Sequence, residues 1–217
     1  MYSAATVSEE FTCHYSRLFN TPVVGPIDEL FELYAGLSSL FNKVDDTTLF
    51  KNVAAKYLLA ACLIQKDKVS NWYLHRGGIL GEYSSCCVPE TLPYNGLPEM
   101  GNVFGLPYMY SNLDTMCGYF LYRTACLLIE LLIHRVSSST KALRHGRRQK
   151  NGAMRNIEYC LIAEQYADNI ARSLLYCLQT GMNAWGAYVI IACMNHVYKP
   201  YALLRRDKKF QWCQKAF

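Results

Sequence analysis

Apolar residues recur every three or four positions in the first half of the chain. Between Pro26 and Lys43 this spacing predicts an amphipathic helix, with Pro26 suited to its first turn and Asp28 and Glu29 to its positive end. A second helix is predicted from Asp46 or Thr47 to about Ile64, antiparallel to the first. Its inward positions are predicted to be Leu49, Phe50, Val53, Tyr57, Leu58, Ala61 and Ile64.

Four further helical segments and a short terminal piece are predicted downstream. Gly77 and Gly78 supply a stop after the first of them, Ser111 suits the N-cap of the second, and Pro200 should kink or break the fourth. The segments run from Ser70 to Arg76, from Ser111 to about Val136, from Ala153 to Gln179, from about Ala184 onward and from Asp207 to Phe217. The pattern predicts an all-α fold, a single-domain bundle of about six to eight helices over residues 1–217.

Two loops are expected between these helices. Glycines and prolines recur through residues 77–108, which predicts a long irregular connection. A second loop, residues 137–152, carries a basic run. The run consists of Lys141, Arg144, Arg147, Arg148 and Lys150. These five residues account for the whole net charge of +5, because 17 basic and 17 acidic residues remain without them. A solvated loop is the favoured interpretation, with a nuclear-import signal or a phosphate contact as the alternative.

The composition indicates a packed protein inside the cell. Hydrophobic residues make up 52% and charged residues 18% of the chain, and the first residues lack the features of a secretory signal, so a nuclear or cytoplasmic location is expected. The apolar stretches Tyr119–Ile133 and Trp185–Tyr198 are predicted to be buried in the protein and not to span a membrane.

The ten cysteines are expected to be reduced. Five of them lie in apolar runs and are predicted to fill the core: Cys62, Cys126, Cys160, Cys177 and Cys193. No Cys-x-x-Cys pair occurs, and we expect neither a metal nor a cofactor.

Three side chains are candidates for chemistry. Glu130 and His134 share one face of a predicted helix, where they can form an acid–base pair, two metal ligands or an ordinary ion pair, and the ion pair is favoured. His196 lies in an apolar helix and is predicted to be a hydrogen-bonded core residue. The 17 tyrosines and nine phenylalanines are consistent with simple packing or with a lining for an apolar metabolite.

The C-terminal part of the chain resembles a known family. Residues 169–179 read NIARSLLYCLQ, residues 185–187 read WGA and residues 211–217 read QWCQKAF. This order is similar to the end of the regulatory domain of fungal binuclear zinc-cluster transcription factors, in which such a helix precedes an apolar helix and a closing tryptophan–cysteine pair. Weaker matches, NWY at residues 71–73 and YMYSNLD at residues 108–114, extend the resemblance to about residues 70–217.

The resemblance implies a non-enzymatic regulator that binds a protein partner, such as a full-length zinc-cluster paralogue, or senses an effector. The family's six-cysteine DNA-binding cluster is absent from this sequence, so sequence-specific DNA binding by the chain alone is not expected. Residues 189–196 read VIIACMNH where the family tends to carry a Phe-Pro-Leu step, which suggests different packing of the last helices.

Two alternatives stay open. One is a recruited enzyme or binding protein for an apolar fungal secondary metabolite, with Glu130, His134 and His196 as its polar groups. The other is an incomplete gene product without independent function.

Overall fold

The computed structural model describes residues 25–45, 52–80, 83–85, 103–142, 149–177 and 183–216. These ranges contain six helices, a 3-10 turn at Gly77–Leu80 and a pair of three-residue strands, β1 (Tyr83–Ser85) and β2 (Tyr108–Tyr110), which are antiparallel. The helices are α1 (Pro26–Asp45), α2 (Asn52–Arg76), α3 (Leu113–Ala142), α4 (Gln149–Cys177), α5 (Asn183–Leu203) and α6 (Asp207–Ala216). The predicted all-α, single-domain fold class is confirmed.

Within this fold the residues group into two compact units. The first unit comprises Met1–Ile79 and Leu128–Tyr159, and the second comprises Leu80–Leu127 and Cys160–Phe217. The unit boundaries fall inside α3 and α4.

The first unit contains the predicted antiparallel pair of α1 and α2. The Asp28 carboxylate accepts a hydrogen bond from the backbone N–H of Gly25 at 2.7 Å, as in a capping box at the start of α1. Gln65 Nε2 of α2 donates to the backbone oxygen of Leu33 at 2.8 Å, and Arg76 near the end of α2 pairs with Glu29 near the start of α1. The antiparallel arrangement is therefore confirmed.

Helix α2 differs from the prediction in both its length and its buried face. It is one continuous helix, because Gln65 and Val69 continue its buried stripe through residues 65–69 and no glycine or proline interrupts it. Tyr57 is 74% exposed and Ile64 is 58% exposed, so the predicted inward face was wrong at these two positions. The buried stripe consists of Ala55, Leu58, Cys62, Gln65, Val69 and Trp72. Apolar residues occur on several sides of α2, so periodicity alone did not select the correct stripe. Of the other predicted inward positions, Leu49, Phe50 and the Val53 side chain lie outside the described residues.

The predicted loop at residues 137–152 is shorter than expected, because α3 continues to Ala142 and α4 begins at Gln149. The hydroxyl of Ser139 donates to the backbone oxygen of Arg135 at 3.0 Å, so this serine is satisfied within the helix and does not end it. Lys141 and Lys150 therefore lie in helical segments. Arg144, Arg147 and Arg148 fall outside the described residues, as do residues 86–102 of the predicted 77–108 loop.

Several helix ends also depart from the prediction. The N-cap of α3 is Asn112, whose side-chain oxygen accepts the backbone N–H of Thr115 at 2.8 Å, and not Ser111. Helix α5 continues past Pro200 to Leu203, so the proline does not break it. It ends in a Schellman arrangement, with Arg205 at a φ of 55° and the Arg206 N–H bonded to the Tyr201 oxygen at 2.8 Å.

In the second unit, charged side chains hold α6 against α4. Lys209 Nζ lies 2.8 Å from a Glu164 oxygen and 2.7 Å from an Asp168 oxygen, and Arg206 Nε pairs with Glu164 at 3.0 Å. Trp212 of α6 packs edge-on against Phe104 with ring centroids 5.0 Å apart. The side chain of Trp212 is thereby buried in the core of this unit.

Helix α3 contains an apolar segment long enough to cross a membrane. Its segment Leu113–Ser139 meets the length and composition of a membrane span, but 78% of its most apolar window is buried inside the protein. The core helix of a protein passes the same test, and the burial agrees with the prediction that Tyr119–Ile133 is buried.

Candidate functional site

Glu130, the first candidate from the sequence, is a buried partner of Lys66. Its side chain is 2% exposed, and its Oε1 lies 2.6 Å from the Lys66 ammonium of α2. Its Oε2 has no hydrogen-bond partner within the described residues. Burial raises the pKa of this carboxyl, and the Lys66 ammonium opposes that rise. Glu130 therefore forms an ion pair with Lys66, and the predicted pair with His134 stays a prediction.

His134 and His196 occupy different units. His134 lies one turn beyond Glu130 on α3, in the first unit, and is half-buried. His196, in the second unit, is 8% exposed, and its Nδ1 lies 3.2 Å from the Lys199 ammonium. Burial lowers the pKa of His196 to about 3, with the Lys199 charge adding to the effect, so the ring is neutral and Nδ1 accepts the bond. The prediction of a hydrogen-bonded core histidine is confirmed, and the structure defines no site that unites the three candidates.

The cysteines that were predicted to fill the core are packing residues. All five that were predicted to fill the core are buried free thiols. Burial raises the pKa of Cys62 to about 11 and that of Cys193 to about 12, which makes their thiolates rare near neutral pH. Among the described residues, no three His, Cys, Asp or Glu side chains are arranged to hold a metal ion.

Arg123, a buried arginine in the second unit, was not among the candidates from the sequence. Arg123 is 4% exposed and donates to the Tyr110 hydroxyl at 2.7 Å and to the Ser173 hydroxyl at 3.2 Å. Its guanidinium carbon lies 4.7 Å from the centre of the Tyr108 ring, and that of Arg172 lies 3.8 Å from the same centre. These contacts fix β2 against α3 and α4.

A groove lies between α1 and α2 in the first unit. It has a volume of about 550 Å³, within the range of small-molecule sites. Its α1 wall carries Glu29, Glu32, Leu33 and Gly36, and its α2 wall carries Gln65, Lys68, Asn71, Trp72, His75 and Arg76. We call this feature the α1–α2 groove.

Gly36 and Gln65 shape the middle of the groove. A Cβ atom at Gly36 would lie 3.0 Å from Gln65 Nε2, so the missing side chain gives Gln65 room to reach the backbone oxygen of Leu33. Gln65 is buried, as is Trp72 two turns further along α2. The groove thus contains the hydrogen-bonded amide of Gln65 and the buried indole of Trp72.

Some charged side chains of the groove form ion pairs with each other and others do not. Arg76 and Glu29 form a bidentate pair, with N···O distances of 2.8 and 3.2 Å. Glu32 and Lys68 are exposed and make no hydrogen bond or ion pair with any described residue. The His75 Nδ1–H donates to the Asn71 backbone oxygen at 2.7 Å, which leaves Nε2 free to accept. The groove therefore presents one anion and one cation that no described residue neutralises.

The groove was not predicted, although part of its signal is in the sequence. Glu29 and Glu32 are spaced three apart and Lys68 and His75 seven apart, so each pair shares a helix face. Only the register of α1 against α2, which the Leu33–Gln65 bond sets, places the two faces opposite each other.

A smaller apolar pocket of about 270 Å³ lies between α5 and α6 in the second unit. Tyr198 and Phe210 line it and contact each other with ring centroids 6.1 Å apart. Cys213 also lines the pocket, and burial raises the pKa of its thiol to about 12. No basic or acidic side chain lines this pocket in the described residues.

No protein-family model, curated protein or solved structure matches this chain. The resemblance to the zinc-cluster regulators stays a prediction.

Proposed function

We propose that this chain is a non-enzymatic, transcription-regulator-like module that senses an effector or binds a protein partner through the α1–α2 groove. The groove carries this proposal because it combines a ligand-sized volume with unneutralised charges on both walls. The described residues of its lining include no hydroxyl or thiol nucleophile. Such a site is suited to recognition and not to covalent catalysis.

The positions of the sequence candidates support the same proposal. A general acid or base must reach a substrate proton. Glu130 and His196 are buried and hydrogen-bonded to Lys66 and Lys199. The alternative of an enzyme acting on an apolar metabolite therefore has no comparable support.

In this proposal, the DNA contact belongs to a partner. The sequence contains no zinc-cluster pattern, and its net charge arises from one short run of residues. A partner such as a full-length zinc-cluster paralogue would supply the sequence-specific contact, which places the working complex in the nucleus.

A tethered reporter assay tests the proposal. The chain is fused to a heterologous DNA-binding domain, and reporter output is compared among wild type, Gly36→Phe and Gly36→Ala. The Phe variant fills the groove. The Ala variant places one methyl carbon 3.0 Å from Gln65 Nε2, so the Gln65 amide must move by a few tenths of an ångström, and the higher helix propensity of alanine, about 1 kcal/mol, offsets this cost. We expect the wild type and the Ala variant to change reporter output and the Phe variant to lose the effect.

Circular dichroism confirms that the variants are folded before they are compared. A chain that leaves reporter output unchanged, or a Phe variant that acts like wild type, contradicts the proposal. Substrate turnover by the purified chain that disappears in a folded His196→Asn variant would support the enzyme instead.

A further inference from the structure

We infer that the α1–α2 groove binds a small zwitterion, whose ammonium group pairs with Glu32 and whose carboxylate pairs with Lys68. This inference rests on the proposed function, because it names the class of effector that the groove takes.

The pairing of charges in the groove selects a zwitterion. Glu29 and Arg76 already neutralise each other through two hydrogen bonds. Glu32 and Lys68 project from opposite walls and are not within ion-pair distance of each other or of any described residue. A ligand that carries both signs satisfies both groups and leaves the net charge of the groove unchanged.

The register of the two helices places the two charges at the same level. Glu32 is one residue from Leu33, and Lys68 is three residues from Gln65, the two residues that the inter-helix hydrogen bond joins. At about 1.5 Å of rise per residue in antiparallel helices, Glu32 and Lys68 lie within roughly 6 Å of each other along the groove axis. A molecule of amino-acid size spans such a gap.

The two unpaired charges together disfavour ligands of a single sign. An anion such as a phosphate bound at Lys68 would be repelled by Glu32, and a simple cation bound at Glu32 would be repelled by Lys68. Repulsion of this kind discriminates among ligands even where each attraction is weak. Leu33 and Trp72 line the same groove and offer apolar contacts, so the remainder of the ligand is expected to be apolar.

The expected effect of each charge is small, because Glu32 and Lys68 are exposed to solvent. Exposed ion pairs change affinity by about two- to fivefold. We therefore expect weak binding in which the loss of either ligand charge costs about threefold.

The test uses L-phenylalanine as the probe in ligand-observed NMR titrations of the full chain. N-acetyl-L-phenylalanine lacks the ammonium group and L-phenylalaninamide lacks the carboxylate. Wild type should bind phenylalanine about threefold more tightly than either derivative. Glu32→Gln should abolish the preference over the N-acetyl form only, and Lys68→Met the preference over the amide only.

Lys56→Met is the matched control, because Lys56 is an exposed lysine of α2 outside the groove lining. It should retain both preferences. Equal affinity for the three probes, no saturation at millimolar concentration, or equal effects of Lys68→Met and Lys56→Met would overturn the inference.

The outcome separates this inference from the proposed function. If Gly36→Phe abolishes the reporter effect while phenylalanine and its derivatives bind with equal affinity, the regulatory proposal stands and the inferred zwitterionic ligand is wrong. If the charge-specific binding is found but the chain has no reporter effect, the ligand class stands and the regulatory role is wrong.

Discussion

The buried imidazole of His196 should make the stability of this protein depend on pH. Burial lowers the pKa of His196 to about 3 in the folded protein, against an ordinary value of 6.5. Between these two values the unfolded chain binds a proton that the folded protein does not. Stability from this residue is therefore fully present above about pH 6.5 and is lost as the pH falls toward 3.

The size of the effect follows from the two pKa values. A pH of 5 is about 1.5 units below the pKa of the imidazole in the unfolded chain. Each unit of this difference corresponds to about 1.4 kcal/mol of free energy. Protonation at pH 5 therefore stabilises the unfolded state by about 2 kcal/mol relative to its free energy at neutral pH. Glu130 and Asp168, whose pKa values are raised by burial, act with the opposite sign. Their contribution is present in wild type and in a His196 variant alike, so it cancels in the comparison.

His196→Asn is the informative substitution. The asparagine side-chain oxygen can accept the hydrogen bond from Lys199 that Nδ1 now accepts at 3.2 Å, but it does not titrate. Urea unfolding at pH 7.5 and pH 5 should show that wild type loses about 2 kcal/mol more than the variant over this interval. Identical losses would refute the assignment of a neutral, buried histidine.

Lys199→Met separates the two causes of the lowered pKa. Burial is the larger cause and the Lys199 charge the smaller, so this variant should keep most of the pH dependence. If the dependence disappeared, the neighbouring charge and not burial would control His196.

Three other expectations follow from the remaining contacts. Lys66→Met should destabilise the protein by roughly 2 kcal/mol at pH 7, because it leaves the Glu130 carboxylate buried and unpaired. The loss should be smaller at pH 5, and the double variant with Glu130→Gln should recover much of it, as measured by urea unfolding. Tyr110→Phe should cost about 1–3 kcal/mol, because the buried Arg123 loses an acceptor at 2.7 Å, whereas Tyr198→Phe at an exposed position should change the unfolding free energy by less than about 0.5 kcal/mol. In mobility-shift assays the isolated chain should bind duplex DNA weakly, without sequence preference, and less as salt rises; specific retention at physiological salt would contradict this.

Helices were predicted correctly from the sequence where the residues typical of a helix start and a single apolar stripe favour the same segment. Helix α1 begins at Pro26 as expected because proline, the acidic first turn and a single apolar stripe all favour the same helix. Helix α2 carries apolar residues around much of its surface, so the periodicity was ambiguous and the exposed Tyr57 was assigned to the core. Helix α3 extends to Ala142 through a serine-rich stretch that its composition had indicated as a loop, and Ser139 donates to the Arg135 backbone oxygen within it.

The candidate site was less accessible from the sequence. A hydrogen-bonded core position was the favoured interpretation of His196, and an ordinary ion pair with His134 was the favoured interpretation of Glu130. The partner of Glu130 was not predictable, because Lys66 is far away in the sequence and lies on a stretch between two predicted helices. The α1–α2 groove depends on helix register, which a single amphipathic pattern does not fix.

The buried contacts and the groove are linked through two adjacent residues of α2. Gln65 binds the backbone of α1, and Lys66 pairs with Glu130 of α3, all within the first unit. Two polar contacts from neighbouring positions point in different directions, so together they restrict both the rotation and the sliding of α2. Lys68 and Trp72 follow on the same helix and line the groove, so their positions depend on this anchoring. The Lys66–Glu130 pair therefore holds one wall of the groove in place without lining the groove itself.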